Sequence, residues 1–366
     1  MISKILSRFV KFPLFKNDKK PIEVLNQQQI DTIKKFNNKI ALGSYKLIDN
    51  YCLCGNRDKC FDLVVAEKDR YGIAVTNILC KKCGIIRSKK ILDETSNQAF
   101  YNEEYRVIYS GRVIASKEFF DGQAGRGVAF LKLIESLSLL DQINNVFDYG
   151  CGAGGVLFPF LQKGKCVEGC DYGDEYLKYG TEVGMFLWQG DLGDNRLQDE
   201  SKDLIILSHV MEHFDKPIQV MINLIKKIKP GKFLLVEVPG IFCIKNVYIN
   251  PILYFQNAHV FNYYYYYLKI FFEQLGLDVL YGNERCTFVL QKPLDWKPVL
   301  IDVINDKHFE AWAVKIENYL KKCLVDFFIF LIFFKPIKII LKPIDKIRGF
   351  LKIRTRFRQL CKNFKN

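Results

Sequence analysis

The sequence predicts an α/β fold with a largely parallel sheet for the middle of this 366-residue chain. Three observations carry it. Short apolar runs at 146–147, 165–169, 203–207 and 233–238 alternate with stretches of helical pattern, as in strands joined by crossover helices. The first run ends in Asp148 and passes into Gly150-Cys151-Gly152-Ala153-Gly154-Gly155, where the backbone must turn sharply and let a ligand approach. An apolar stretch at 156–161 then starts a helix, so free N–H groups face whatever lies above the loop. Apolar residues make up 49% of the chain, enough for a sizeable core.

In chain order, residues 1–45 read as a basic, partly helical arm. Ile5, Phe9, Phe12 and Phe15 lie among Lys4, Arg8, Lys11 and Lys16, and no cleavable signal is read there. The expected module at 46–92 contains Cys52-Leu53-Cys54-Gly55 and Cys80-Lys81-Lys82-Cys83-Gly84. These flank two strand-like runs, 61–66 and 73–79, joined by a turn at Asp69-Arg70-Tyr71-Gly72. Two cysteine pairs on a hairpin outline a zinc ribbon, in which Cys52, Cys54, Cys80 and Cys83 close a tetrahedral, structural site. The first pair is C-x-C, not the commoner C-x₂-C, and Cys60 is a reserve ligand. Buried free cysteines are the alternative. Twelve cysteines without an export signal point to a reducing, cytoplasmic compartment.

Residues 93–130 read as a helical linker or lid carrying Phe100, Tyr101, Tyr105 and Tyr109. The main domain is expected over 131–295. Its second strand ends at Asp171, about 20 residues past the glycine loop, where an acid can take both hydroxyls of a ribose. A third strand, Met185-Phe186-Leu187-Trp188, leads to Gly190-Asp191, and the fourth ends in Ser208-His209-Val210-Met211-Glu212-His213. A helix at 217–228, Lys229-Pro230-Gly231 and the fifth strand follow. His259 lies in the loop after it. A helix at 263–275, with Asn262 as N-cap and Gly276 as stop, precedes two last strands at 277–281 and 286–291.

Gly150, Gly152 and Gly155 also fit the G-x-G-x-x-G pattern of dinucleotide folds. The acid two residues before the first glycine tips the reading. Asp148-x-Gly150-x-Gly152-x-Gly154, Asp171, Asp191 and the Ser208–Phe214 and Lys229-Pro230-Gly231 segments together resemble class I S-adenosylmethionine (SAM) methyltransferases over 140–292. The resemblance implies a Rossmann-like sheet of seven strands, the last antiparallel. It implies SAM contacts from Asp148, Gly150, Gly152, Gly154, Asp171, Tyr172, Asp191, Leu192 and Ser208. A cysteine knuckle ahead of such a domain resembles a bacterial group that includes methyltransferases of sugars and surface glycans.

Methyl transfer to a hydroxyl or an acidic C–H requires a base. Three of the four histidines fall at the expected carboxyl ends of the strands. His213 and His259 are the candidate bases, Glu212 sits beside them, and His209 either fixes the cofactor or shapes the loop. A structural role is the alternative for each.

The net charge of +14 lies at the two ends. Residues 1–20 hold six Lys/Arg and one Asp, residues 335–366 hold eleven and one, and the body between is close to neutral. A nucleic-acid enzyme would carry a basic stripe on its catalytic face, so nucleic acid is not the expected partner. The alternative is a zinc-ribbon protein that binds or modifies RNA, or a non-catalytic SAM-binding module. The extension 296–366 contains an apolar run, 327–334, too short to span a bilayer, followed by Lys and Arg interleaved with Ile, Leu and Phe. It reads as a helical, basic tail lying on an anionic membrane from the cytoplasmic side, or as a helix packed on protein.

Overall fold

The computed structural model describes residues 10–333. The basic segments at 1–9 and 334–366 lie outside the described residues, and with them most of the expected membrane tail. Lys11–Tyr319 form one compact unit.

Helix α1 (Gln27–Ala41) is followed by strands β1 (Leu47–Asp49), β2 (Asp62–Lys68), β3 (Ala74–Cys80), β4 (Ile86–Ser88) and β5 (Lys90–Leu92). Next come α2 (Glu94–Phe100), a π-helical turn at Tyr101–Tyr105, α3 (Arg106–Ser110) and α4 (Lys117–Ser136). The main domain continues through β6 (Asn145–Tyr149), α5 (Phe158–Gln162), β7 (Cys166–Asp171), α6 (Asp174–Glu182), β8 (Phe186–Gln189), β9 (Lys202–Ser208) and α7 (Pro217–Lys227). It ends with β10 (Ile228–Glu237), α8 (Ile244–Val247), β11 (Phe261–Asn262), α9 (Tyr265–Gln274), β12 (Asp278–Gly282) and β13 (Thr287–Gln291). Helix α10 (Phe309–Phe333) follows. Among the described residues, no helix is long and apolar enough to cross a membrane.

The central sheet has the order β12-β13-β10-β9-β6-β7-β8. The pairs β10/β9, β9/β6, β6/β7 and β7/β8 are parallel, and β13 runs antiparallel between β10 and β12. This is the Rossmann-like sheet of seven strands with the last strand reversed. Its inner strands are apolar on both faces because both are covered: Val146, Phe147, Leu204–Leu207 and Phe233–Val236 are fully buried. On one face, Phe130 and Ile134 of α4 pack with Val156, Leu157 and Phe160 against Val146, Leu204 and Phe233.

The ribbon's sheet has the order β11-β4-β3-β2, so its outer strand comes from the main domain. Phe261 and Asn262 pair with Arg87 and Ile86. This corrects the helix expected from Tyr263. Asn262 is strand, not N-cap; α9 starts at Tyr265 and is preceded by Tyr264, whose side chain makes no cap. The pairing with β4 outweighs the capping preference of an asparagine. Gly276 does end the helix, at φ 79°. The Lys229-Pro230-Gly231 segment, expected between the helix at 217–228 and the fifth strand, belongs to the strand itself. It is a bulge within β10, between Ile228 and Phe233, with the Gly231 amide bonded to the Lys292 carbonyl.

Candidate active site

The glycine loop leaves β6 between strands β7 and β9. Gly150, Gly152 and Gly154 all have positive φ, 76°, 57° and 78°, so each needs the freedom of glycine. A side chain at Gly150 would come within 2.6 Å of Val210, which places the His209–His213 segment directly beside the loop. Gln123 of α4 holds the loop from the other side. Its Nε2 donates to the Cys151 carbonyl at 3.0 Å, and its Oε1 accepts from the Ala153 and Gly155 amides at 3.2 and 3.3 Å.

Two acids flank the loop. Asp171, at the end of β7, accepts through Oδ2 from the Gly152 amide at 2.9 Å and from Arg106 at 2.6 Å, and through Oδ1 from the Gly173 amide at 2.9 Å. Burial alone would raise this carboxyl; the Arg106 charge and these donors outweigh it and hold it below the ordinary range. Asp148 is 1% exposed, its Oδ1 has no hydrogen-bond partner, and burial pushes it well up. Asp191 follows β8 in an exposed turn and accepts from the Gly193 amide at 2.8 Å, next to the half-buried Leu192. Tyr172 is 40% exposed, and Ser208 Oγ accepts from Arg126 at 3.1 Å.

The chain brings His209, Glu212, His213 and His259 together. His209 has φ 60°, a strained conformation for a residue with a side chain, and its amide donates to the Glu237 carbonyl at 2.8 Å. Its Nδ1 lies 3.5 Å from Glu212 Oε1 and its Nε2 lies 3.4 Å from Glu237 Oε1. Glu212 is 1% exposed, and neither oxygen has a hydrogen-bond partner. Burial favours its neutral form, but the surrounding histidines, His209 first, bring it down to about 2. His213 Nδ1 lies 3.0 Å from the Ala258 carbonyl and 2.9 Å from the Tyr101 hydroxyl. His259 is buried and lowered to about 3, first by burial and then by the neighbouring His213, whose ring it meets edge-on at 5.0 Å.

The segment between α2 and α3 packs against this cluster. Tyr101 and Tyr105, in the π-helical turn, place their rings 6.0 and 5.7 Å from that of His213. Such turns inside α-helices are frequent at functional sites. Between them Glu104 is fully buried and anchored to α1 and its following loop, accepting from Lys39 at 2.6 Å and from the Tyr45 hydroxyl at 2.5 Å. Sequence reasoning missed Arg106, Gln123, Arg126 and Glu237. The signal for two of them is the i,i+3 spacing of Gln123 and Arg126, polar residues on a helix that also buries Phe120, Gly127 and Phe130.

Away from this site, the Sγ atoms of Cys52 and Cys83 are 3.3 Å apart and those of Cys54 and Cys80 are 3.7 Å apart. All four lie within 4.8 Å of one another. Four Zn–S bonds of about 2.3 Å give a tetrahedron with edges of about 3.8 Å, so the thiols fit that ion. Cys60 is exposed and lies outside the group. The Tyr264 hydroxyl donates to the Cys83 carbonyl at 2.7 Å, tying the cysteine turn to α9.

The chain is similar to methyltransferases in sequence and in fold. A family model described as a methyltransferase domain matches residues 121–281. The chain is 28% identical over 141 residues to the tRNA N(3)-cytidine methyltransferase METTL6 of Homo sapiens, covering 35% of this chain and 50% of that protein. The chain thus spans about half the length of this curated relative. Among solved structures, an O-methyltransferase family protein from Burkholderia thailandensis is similar at 15% identity and TM-score 0.41, over 53% of this chain and 63% of that one. A SAM-dependent methyltransferase from Thermotoga maritima is similar at 16% identity and TM-score 0.36, over 46% and 89%. Residues 121–281 thus match a methyltransferase-domain model, and the seven-stranded sheet they contribute to is Rossmann-like.

Proposed function

We propose that the protein transfers a methyl group from SAM to a hydroxyl of a small-molecule or glycan acceptor, most specifically a nucleotide-linked or lipid-linked sugar used in surface polysaccharide assembly. The observation that carries the methyltransferase reading is the meeting, at the carboxyl ends of β6, β7 and β9, of the glycine loop, Asp148, Asp171 and the histidine cluster. In open α/β sheets this edge is where ligands bind. The residues fit SAM: Asp148 Oδ1 is a buried acceptor without a partner, and Asp171 aims a carboxylate at the loop.

SAM carries its methyl group on a sulfonium centre, already activated for transfer. Asp171 binds the ribose hydroxyls once Arg106 shares or yields Oδ2. Asp148 accepts from the amino end of the cofactor, and Asp191 with Leu192 and Tyr172 borders the adenine. Ser208, held by Arg126, closes the strand end beside the loop. His209 is the group we assign to receive the acceptor proton, in preference to His213 and His259. Its side chain is 36% exposed, whereas His213 is tied to Ala258 and Tyr101 and His259 is buried. Glu212 and Glu237 flank His209 and support its cationic form. Cys52, Cys54, Cys80 and Cys83 hold a structural zinc ion.

The sugar assignment is supported by the order of cysteine module and methyltransferase domain and by the near-neutral body of the chain. Tyrosines lining the lid offer faces for a sugar ring. The basic tail supports an acceptor made at the inner face of a membrane. A second reading, methylation of tRNA, is favoured by the similarity to a tRNA methyltransferase. Incubation with radiolabelled SAM and panels of nucleotide sugars, glycolipids and tRNA separates the two. Label in the sugar panel supports the first reading; label in tRNA alone overturns it.

A further inference from the structure

Glu212 poses a problem that the methyl-transfer reading does not solve. It is 1% exposed, yet no donor reaches either oxygen. A buried carboxylate is otherwise paired or bound to a metal. Arg126, a nearby cation, is turned to Ser208 and Glu237 instead. What surrounds Glu212 is imidazole. His259 Nε2 lies 3.9 Å from Oε1, and its Nδ1 has no partner. His213 presents a lone pair: the Ala258 carbonyl at Nδ1 can only accept, so the ring proton sits on Nδ1 and leaves Nε2 free. Metal-binding histidines are commonly oriented by such a bond from the other ring nitrogen to a backbone carbonyl. One ligand atom from each of Glu212, His213 and His259 lies within 4.8 Å of the others. His209 Nδ1, 3.5 Å from Glu212 Oε1, borders the same space.

We infer that Glu212, His213 and His259 bind a divalent transition-metal ion, distinct from the four-cysteine site. Two imidazole nitrogens and one carboxylate favour Zn²⁺, Fe²⁺ or Co²⁺ over the oxygen-seeking Mg²⁺ and Ca²⁺, and the carboxylate also admits Mn²⁺. Three protein ligands leave positions open, and the segment that carries two of them touches the glycine loop at Gly150. This role rests on the methyl-transfer reading: an ion there polarises an acceptor oxygen beside the methyl group.

Mn²⁺ is the probe, because it is a poor ligand for a four-thiolate site. Full-length protein, purified without chelator, is titrated with Mn²⁺ and free ion is followed by electron paramagnetic resonance. One Mn²⁺ per chain is expected, and a rise in melting temperature with it. Glu212→Gln keeps the shape and removes the charge. It should weaken Mn²⁺ binding by more than about 100-fold, beyond what loss of a ligand's supporting hydrogen bond costs. In this variant the Mn²⁺-dependent rise in melting temperature should be lost; His259→Ala should lose the ion as well. Wild-type protein that neither binds Mn²⁺, Co²⁺ or Zn²⁺ beyond the cysteine-held equivalent nor melts higher with them overturns the inference, as does unchanged affinity in both variants. SAM affinity measured on the same samples keeps the outcomes apart. Metal binding without SAM binding removes the cofactor reading and leaves the metal site standing; SAM binding without metal binding does the reverse.

Discussion

Arg106 Nη2 lies 2.6 Å from Asp171 Oδ2, the same oxygen that accepts the Gly152 amide. Helix α3, strand β7 and the glycine loop therefore meet on one carboxylate. Arg106→Gln leaves a mostly buried charge without its cation, at an expected cost of about 3 kcal/mol at pH 7. The sign with pH follows from the lowered carboxyl of Asp171. The stabilisation is complete above the unfolded value of about 4 and is lost as pH falls through the lower folded value. Denaturant midpoints of wild type and variant should differ by a constant amount from pH 5 to 8 and converge below pH 4. A gap that widens in acid would refute the pairing.

Glu104 makes a second check on the lid. Fully buried, it relies on Lys39 and the Tyr45 hydroxyl. Lys39→Met removes the cation and leaves the charge, so it should destabilise by about 3 kcal/mol. Glu104→Gln, which removes the charge itself, should cost less. Equal losses in urea titrations would mean that the lid does not depend on this ion pair.

How much of this was legible in the sequence follows from the range of the contacts. The strand that ends in Asp148, the glycine loop and the acid at 171 are local patterns, and the sheet formed where they indicate. The gathering of the four cysteines was legible because two thiol pairs flank one hairpin. Arg106 and Glu237 were not, because each acts through a partner far off in sequence. Asn262 misled for a related reason: its place was set by pairing with Ile86, 176 residues away, and not by the helix that follows. The π-helical turn at Tyr101–Tyr105 left no periodicity by which to recognise it.

The four thiols should hold one zinc per chain. Elemental analysis of protein purified under reducing, chelator-free conditions checks this, and Cys80→Ser should bring the cysteine-held zinc close to zero. Because β11 belongs to the ribbon's sheet, the variant should also expose 258–264 to protease. Intact resistance with no zinc would show that the module stands without metal.

The basic tail is testable without reference to its structure. Each Lys or Arg near an anionic surface adds about 1 kcal/mol, an amount that salt screens. Sedimentation with anionic vesicles should retain the full chain at low salt, release part of it at high salt, and release more after deletion of residues 319–366. A full chain that stays in the supernatant at low salt would refute membrane binding.

Calorimetric titration of the full chain with SAM decides whether this sheet edge binds the cofactor. One SAM per chain is expected, and for Asp171→Ala a loss of roughly 1.5–3 kcal/mol, the worth of hydrogen bonds to a charged group. Absence of SAM binding in the wild type, or unchanged affinity in Asp171→Ala, would contradict binding at this edge.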